Sequence, residues 1–303
     1  MMPDHARLVV DRFISIRTGV SVADLKPGQL AVATCDRRTY AELGYGFVRL
    51  LWAMHFGDRA LVSVHPAALA EVSRLTWGRS PDAVLSGDLV EQLHNAVASA
   101  LPGTPLGGPP KGPDDLGIKL YQPGNAPEVA SDGEVRLLTA ADKDKWPSPR
   151  VYGAAADHPC VARDEAFGLL LGETSVAEVM THEPSVADMA HLIAEDGIEV
   201  AEGYRGRGYG KAVLAAWTRE MQRRGRVCLH GTSLGNAASV GLARSIGYVE
   251  YARNWSVSFA TRDRRCALAG GECPSHHVVG KRERAAWGSF SRRLKSVRHA
   301  GCD

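Results

Sequence analysis

Short apolar runs alternate with amphipathic stretches along the first 260 residues, and this pattern predicts a mixed α/β fold. In the first part of the chain, the predicted strands are Gln29–Ala33 and Ala60–Val64, and the predicted helices are Phe47–Met54, Pro66–Leu75 and Asp88–Leu101. In the second part, the predicted strands are Val135–Asp142 (ending in the start of a helix), an antiparallel pair Ala166–Leu171 and Ser175–Val179, then Ile198–Ala201, Val227–His230 and Trp255–Phe259. Two helices are predicted among these later strands, Tyr209–Arg224 and Val240–Ser245.

Composition changes twice along the chain. Residues 101–117 are rich in proline and glycine and cannot hold a helix or a central strand. From Thr261 onward the chain has ten Lys or Arg and four Asp or Glu, so this tail carries +6 while the whole protein carries +2. We therefore predict an N-terminal α/β domain at 1–117, a second domain at 118–260 and a basic tail at 261–303.

The overall composition is typical of a soluble enzyme. The 303 residues are 45% hydrophobic and 23% charged, and no apolar run approaches the roughly 18 residues of a membrane span. Six scattered cysteines favour free thiols over a disulfide framework. No secretory signal is visible at Met1–His5, and arginine greatly outnumbers lysine. The expected setting is therefore the cytoplasm of a bacterium.

The most informative segment is a glycine-rich turn between a predicted strand and a predicted helix. Gly206, Gly208 and Gly210 lie at alternate positions and leave successive N–H groups uncovered by any Cβ. With the unpaired N–H groups of the helix's first turn, these amides form a socket for a pyrophosphate. Three basic residues add positive charge to it, Arg205, Arg207 and Lys211. We therefore expect an anionic cofactor.

Three kinds of anion-binding loop have such glycines. A P-loop requires Ser or Thr after its lysine, and Lys211 is followed by Ala212. A dinucleotide fingerprint requires Gly-x-Gly-x-x-Gly, whereas these glycines are spaced by two throughout. The coenzyme A loop of the GCN5-related N-acetyltransferases (GNAT superfamily) has the signature Arg/Gln-x-x-Gly-x-Gly/Ala, which Arg205–Gly210 matches at every fixed position. The protein resembles this superfamily here.

A second segment supports the resemblance. In the family, the strand after the pyrophosphate helix leads to an Asn that begins a helix beside the pantetheine arm, and a Gly-aromatic pair ends that helix. Asn236 and Gly247–Tyr248 lie at the family distances from the loop, although helix capping alone would also account for Asn236 and Gly247. The resemblance covers about residues 134–259 and implies a mixed, mostly antiparallel sheet flanked by helices.

The resemblance also implies acetyl-CoA as the co-substrate. The residues it assigns to the cofactor are Ile198, Val200, Ala201, Arg205, Gly206, Arg207, Gly208, Tyr209, Gly210, Lys211, Asn236 and Ser239. In the family, main-chain groups of the strand before the loop orient the thioester carbonyl. Val200 and Ala201 are the corresponding candidates for the backbone donor.

Transfer of an acetyl group to an amine needs a base, because an amine with a pKa of about 10 is protonated at neutral pH. The family often has a Glu in the strand before the loop, and that position corresponds to Ala194 here. Candidates nearby are Asp196, Glu199 and, on the next strand, His230. Alternation puts Asp196 on the side of Ala194 and Glu199 on the opposite side, unless a bulge inverts the parity.

The residue that would protonate the leaving thiolate differs from the family pattern. Many members have a Tyr shortly before the Gly-aromatic pair, and this chain has Leu242–Ser245 there. Ser239, Tyr248, water or the helix N-terminus would then assist the leaving thiolate.

Two parts of the chain lie outside the resemblance. The N-terminal part lacks a glycine loop, so it is either a degenerate acetyltransferase domain of a tandem form or an unrelated lid or dimerisation domain. One cofactor site is expected. The tail has Cys266, Cys273, His276 and His277 without the paired spacing of zinc motifs, so no metal site is predicted. Its charge is interpreted as that of a solvated extension.

Three functions stay open on the sequence. The favoured one is an acetyl-CoA-dependent N-acetyltransferase that moves the acetyl group to a small amine by direct attack on the thioester. The others are a protein or peptide N-acetyltransferase and a noncatalytic acyl-CoA-binding module. No nucleic-acid or membrane partner is expected, and a homodimer stays open.

Truncation after Ala260 is expected to leave acetyl-CoA binding intact. The acetyltransferase pattern ends with Trp255–Phe259, and the tail is short of β-branched apolar residues, so it buries little surface alone. Calorimetry of the truncated and full-length proteins tests this, with light scattering to follow oligomeric state. A zinc-stapled tail over the acceptor site predicts instead that truncation and a chelator both impair turnover. Metal analysis giving one zinc per chain would contradict our expectation.

Overall fold

The computed structural model describes residues 5–40, 47–142, 144–147, 159–182 and 186–260. Its strands are β1 (Leu30–Ala33), β2 (Phe47–His55), β3 (Ala60–Val64), β4 (Gly117–Tyr121), β5 (Glu134–Leu137), β6 (Ala166–Leu171), β7 (Thr174–His182), β8 (Ile193–Val200), β9 (Val227–Ser233) and β10 (Val249–Ala260). Its helices are α1 (His5–Thr18), α2 (Leu69–Thr76), α3 (Gly87–Ala100), α4 (Pro159–Ala162), α5 (Tyr209–Arg223) and α6 (Ala237–Ser245). The predicted basic tail and its Cys/His cluster lie outside the described residues.

The ten strands form one sheet in the order β1-β3-β2-β10-β4-β9-β8-β7-β6-β5. The pairs β1–β3 and β8–β9 are parallel, and the other seven neighbouring pairs are antiparallel. Helices pack on the sheet. The fold is therefore the mixed, mostly antiparallel sheet flanked by helices that the sequence predicts.

Strand β10 connects the N-terminal strands to the rest of the sheet. It pairs with β2 along Phe47–His55 on one side and with β4 on the other, and β4 continues to β9. The predicted linker has a single 3₁₀ turn, at Pro113–Asp115, and leads directly into β4. The domain boundaries at 117 and 260 stay a prediction, because the sheet itself is continuous across the first of them.

The two faces of the sheet at β8 and β9 pack against different hydrophobic clusters. Helices α5 and α6 cover one face, where Trp217 and Val213 pack with Ala194 of β8 and Cys228 of β9. Helix α1 covers the other face, where Phe13 and Ile14 pack with Ile193 of β8. Each fully buried Val, Leu or Ile contributes roughly 1.5–3 kcal/mol, so both layers hold β8 and β9 firmly in place.

One predicted element is wrong in type. The pattern at Phe47–Met54 predicts a helix, whereas the structure has strand β2 there. The run Leu50–Met54 is buried, because β2 lies between β10 and β3 in the sheet. Helix α1 covers one face of β2, and α2 and α3 cover the other. Continuous burial removes the period-2 alternation by which a strand is recognised, and a short apolar run then fits a helix equally well.

Candidate active site

Strands β8 and β9 separate just beyond their parallel pairing. The ladder between them has three pairs and ends at Glu195 and Leu229. Beyond this point β8 stays paired with β7 as far as Val200, whereas β9 stays paired with β4 as far as Ser233. A gap therefore opens between the two strands, and the glycine loop lies at the far end of β8.

The three glycines of the loop have different structural reasons. Gly206 and Gly208 have φ angles of 77° and 85°, in the left-handed region that favours glycine. Gly208 is the N-cap of α5, and no side chain caps this helix. Gly210 is helical, and a Cβ there would lie 3.1 Å from Cγ2 of Val200. Close packing of α5 on β8 therefore requires Gly210, whereas the left-handed backbone just before the helix favours glycine at positions 206 and 208.

The first turn of α5 offers N–H groups to an anion. The first helical hydrogen bond runs from Ala212 N to Gly208 O, so the preceding amides have no carbonyl partner inside the helix. Arg205 and Arg207 are exposed beside them. The Tyr209 side chain is buried and its hydroxyl donates to Asp132 Oδ2 at 3.3 Å, so Tyr209 can meet a cofactor only through its backbone.

Alternation along β8 decides which main-chain groups face the gap. Ala201 N donates to Val176 O at 3.0 Å, so this predicted donor is already engaged with the strand end of β7. In an antiparallel ladder successive residues point their N–H groups to opposite sides, and the β7–β8 ladder has no register shift. The N–H groups of Ile198 and Val200 consequently point into the gap, as a pantetheine arm would require.

Asp196 and His230 form a buried pair at the floor of the gap. His230 Nδ1 lies 2.8 Å from Asp196 Oδ2 and 3.0 Å from Oδ1, and the Asp196 side chain is 0% exposed. Burial lowers the pKa of His230, but the charge of Asp196 and its hydrogen bond outweigh burial and raise that pKa above its ordinary value. The structure thus brings two of the three predicted base candidates together.

The other nitrogen of His230 contacts the start of α6. His230 Nε2 lies 2.8 Å from Ser239 Oγ, and Ser239 is half-buried. Asn236 caps the helix, since its side chain accepts from Ser239 N at 3.2 Å. The sequence indicated both residues separately, but the contact of Ser239 with His230 was not predicted. A Ser three positions after an N-cap and a His on the preceding strand are too common as separate features to indicate such a contact.

Glu199, the third base candidate, lies on the opposite face of the sheet. Its cross-strand neighbour is Glu178 of β7, and the unshifted ladder keeps it on the face of Glu195. Glu195 in turn accepts from Lys119 Nζ at 2.8 Å, on the side covered by α1. The alternation predicted for Asp196 and Glu199 is therefore what the structure has, and no bulge inverts it.

Two other reactive side chains near His230 are directed away from the gap. Tyr248 is buried with its hydroxyl 3.0 Å from Thr218 Oγ, and burial raises the pKa of its phenol well above the usual value. Burial likewise raises the pKa of the Cys228 thiol, whose Sγ lies 3.7 Å from Thr218 O. Neither group is placed to act as an acid or a nucleophile.

Two further properties concern the described ranges as a whole. No group of three or more His, Cys, Asp or Glu within them is placed to hold a metal ion. No helix within them is long and apolar enough to cross a membrane.

Comparison with known proteins finds a family model that matches this region of the chain. Residues 137–248 match the model described as the acetyltransferase (GNAT) family. The match contains the glycine loop, the Asp196–His230 pair and α6. A search of curated proteins found no match.

Among solved structures, the chain is similar to a GNAT-family protein from Novosphingobium aromaticivorans, with 18% identity over 48% of this chain and 65% of that chain, and a TM-score of 0.38. It is similar to a GCN5-related N-acetyltransferase from Sphaerobacter thermophilus, with 14% identity over 67% and 73% of the two chains and a TM-score of 0.41. A tandem GNAT protein from the clavulanic acid biosynthesis pathway has 11% identity over 56% and 58%, with a TM-score of 0.36. The chain thus spans less than two thirds of the Novosphingobium protein.

Proposed function

We propose that this protein, whose residues 137–248 match the model of the acetyltransferase (GNAT) family, transfers the acetyl group of acetyl-CoA to the amine of a small molecule. One observation carries the proposal. The uncapped start of α5 and the polar pair Asp196–His230 lie at the two ends of a single gap between β8 and β9.

The cofactor would lie along this gap. Its pyrophosphate would accept hydrogen bonds from the first amides of α5, with Arg205 and Arg207 nearby as counter-charges. Its pantetheine arm would pair with the outward N–H groups of Ile198 and Val200, in the way that an extra strand pairs with a sheet edge. The thioester would then reach the floor of the gap, close to Asn236 and Ser239 at the start of α6.

The acceptor is proposed to be a small cationic amine. Residues 1–260 carry a net charge of −4, which follows from +2 for the chain and +6 for the tail. Weak negative charge attracts a cation without selecting a particular one. The acceptor amine must lose a proton before or during attack, and the Asp196–His230 pair is the titratable group that we place beside the thioester.

Purified protein is expected to release free coenzyme A from acetyl-CoA faster in the presence of a suitable amine than in its absence. A thiol-release assay over a panel of polyamines, amino acids and aminoglycosides measures this, with mass spectrometry of the product. Acetylation of proteins in a lysate, read with an antibody to acetyl-lysine, would favour a protein acceptor instead. Tight acetyl-CoA binding with no acetylated product in either assay would favour the noncatalytic module and contradict our proposal.

A further inference from the structure

Three polar side chains form an uninterrupted line from the core to the cofactor gap. Asp196 is buried at one end, His230 lies in the middle with each ring nitrogen within 3.0 Å of a partner oxygen, and Ser239 ends the line half-buried on α6. His230 is 2% exposed. A proton on its imidazole therefore reaches the gap through the Ser239 hydroxyl.

Asp196 determines how this line works. Its carboxylate accepts a hydrogen bond from Nδ1–H of neutral His230, which leaves the Nε2 lone pair directed at Ser239 Oγ. The Ser239 hydroxyl can then donate to Nε2 and accept a proton from the gap. When Nε2 is protonated the direction reverses, and Ser239 accepts from His230 while its own proton is free for a partner in the gap.

Resting on the proposed function, we propose that Ser239 is a catalytic residue that carries the transferred proton in both directions, from the attacking amine to His230 and from His230 to the leaving sulfur. The line thereby replaces the separate base and acid of the family. It would supply the proton that a tyrosine in the stretch Leu242–Ser245 would otherwise supply, and this stretch has no tyrosine.

The proton is conserved through the reaction. The acceptor ammonium first releases one proton to solvent, and the neutral amine then attacks the thioester carbonyl carbon to form a C–N bond. One of its remaining N–H protons passes to Ser239 Oγ while the hydroxyl proton of Ser239 passes to His230 Nε2. The C–S bond then breaks, the sulfur takes the proton of Ser239, and His230 Nε2 returns one to Ser239. The products are the amide and free coenzyme A, and His230 is neutral again.

Ser239→Ala is expected to lower kcat about 10²-fold or more, the scale of general acid–base catalysis, with KM for acetyl-CoA within about threefold of wild type. Ser239→Thr keeps a hydroxyl and is expected to retain most activity. Ser245→Ala is the matched control, because Ser245 lies on the same helix and donates to Leu242 O at 2.7 Å. If Asp196, His230 and Ser239 act together, the double variant Ser239→Ala with His230→Gln should lower kcat little more than either single change does.

Among experiments with acetyl-CoA, two results would overturn the proposal. One is wild-type kcat in Ser239→Ala. The other is a stable acetyl adduct on Ser239 after incubation with acetyl-CoA without amine, which mass spectrometry would detect and which would make Ser239 a nucleophile rather than a proton carrier.

A binding experiment tests Ser239 without any acceptor amine. A hydroxyl that donates to the thiolate is worth roughly 1.5 kcal/mol, so Ser239→Ala should weaken binding of coenzyme A about tenfold at alkaline pH. Desulfo-coenzyme A, which lacks the sulfur, should bind both proteins equally. An equal loss of affinity for coenzyme A and desulfo-coenzyme A, or no loss of affinity for either, would contradict the proposal. If wild type acetylates no amine but shows this difference, the proposed function fails while the placement of Ser239 stands.

Discussion

Replacement of Gly208 by Val is expected to abolish detectable acetyl-CoA binding while the protein still folds. Gly208 has a φ of 85° and caps the exposed start of α5, the socket proposed for the pyrophosphate. A β-branched side chain there disfavours the left-handed conformation and fills the space through which a phosphate approaches the amides. No heavy atom lies within 4 Å of the Cβ position, so the space where the side chain would leave the backbone is open.

The expected free-energy changes show that Gly208→Val should affect binding far more than folding. A strained residue of this kind costs of order 1–3 kcal/mol, and a domain is typically stable by about 5–15 kcal/mol, so most of the protein stays folded. Loss of the pyrophosphate contacts removes several charge-assisted hydrogen bonds, each worth about 1.5–3 kcal/mol, which lowers affinity by several powers of ten.

Calorimetry with acetyl-CoA measures the effect, and circular dichroism checks the fold. Gly203→Val is the matched control, because Gly203 lies in the same loop, has open space around its Cβ position and has no left-handed φ. It should bind acetyl-CoA with near wild-type affinity. Wild-type affinity in Gly208→Val would mean that the loop is not the cofactor site.

The parts of the fold that sequence predicts well are those determined by local chemistry. The loop at 205–210 and the caps at Asn236 and Gly247 follow from φ preferences and helix-end hydrogen bonding over a few residues. Strand β2 was predicted wrongly because its burial depends on β10, about 200 residues away along the chain. The hydrophobic pattern of a short segment carries no information about a strand partner so far along the chain.

The residues of the candidate site can be predicted one by one from the sequence, but their contacts with one another cannot. Asp196, His230 and Ser239 come from three different elements, β8, β9 and α6, and α5 lies between the first two along the chain. They meet because of a specific register between β8 and β9. The parallel pairing of Glu195 with Leu229 places the next residues, Asp196 and His230, side by side where the strands begin to separate. Sequence alone gives the order of the elements, whereas register depends on how α1 and α5 pack against the sheet.

Asp196→Asn is expected to lower kcat about 10²-fold or more with little change in KM for acetyl-CoA. The amide cannot stabilise the imidazolium that forms during turnover, and it no longer holds His230 in the tautomer that presents Nε2 to Ser239. The pH dependence should change as well. Asp196 raises the pKa of His230, while burial and the charge of Lys119 lower it, so the variant has the lower pKa.

Neutral His230 accepts the proton in our proposal, so activity rises with pH through the pKa of His230. In Asp196→Asn this rise should move to lower pH and reach a lower plateau, which a pH–rate profile with a fixed amine would show. Glu199→Gln is the matched control, because Glu199 is a carboxylate of the same strand on the opposite face, beside Glu178. We expect it to change kcat by less than about threefold, as for groups away from the reacting atoms. A plateau in Asp196→Asn equal to that of wild type, or a greater loss in Glu199→Gln, would remove the Asp196–His230 pair from the mechanism and favour a base on the face covered by α1.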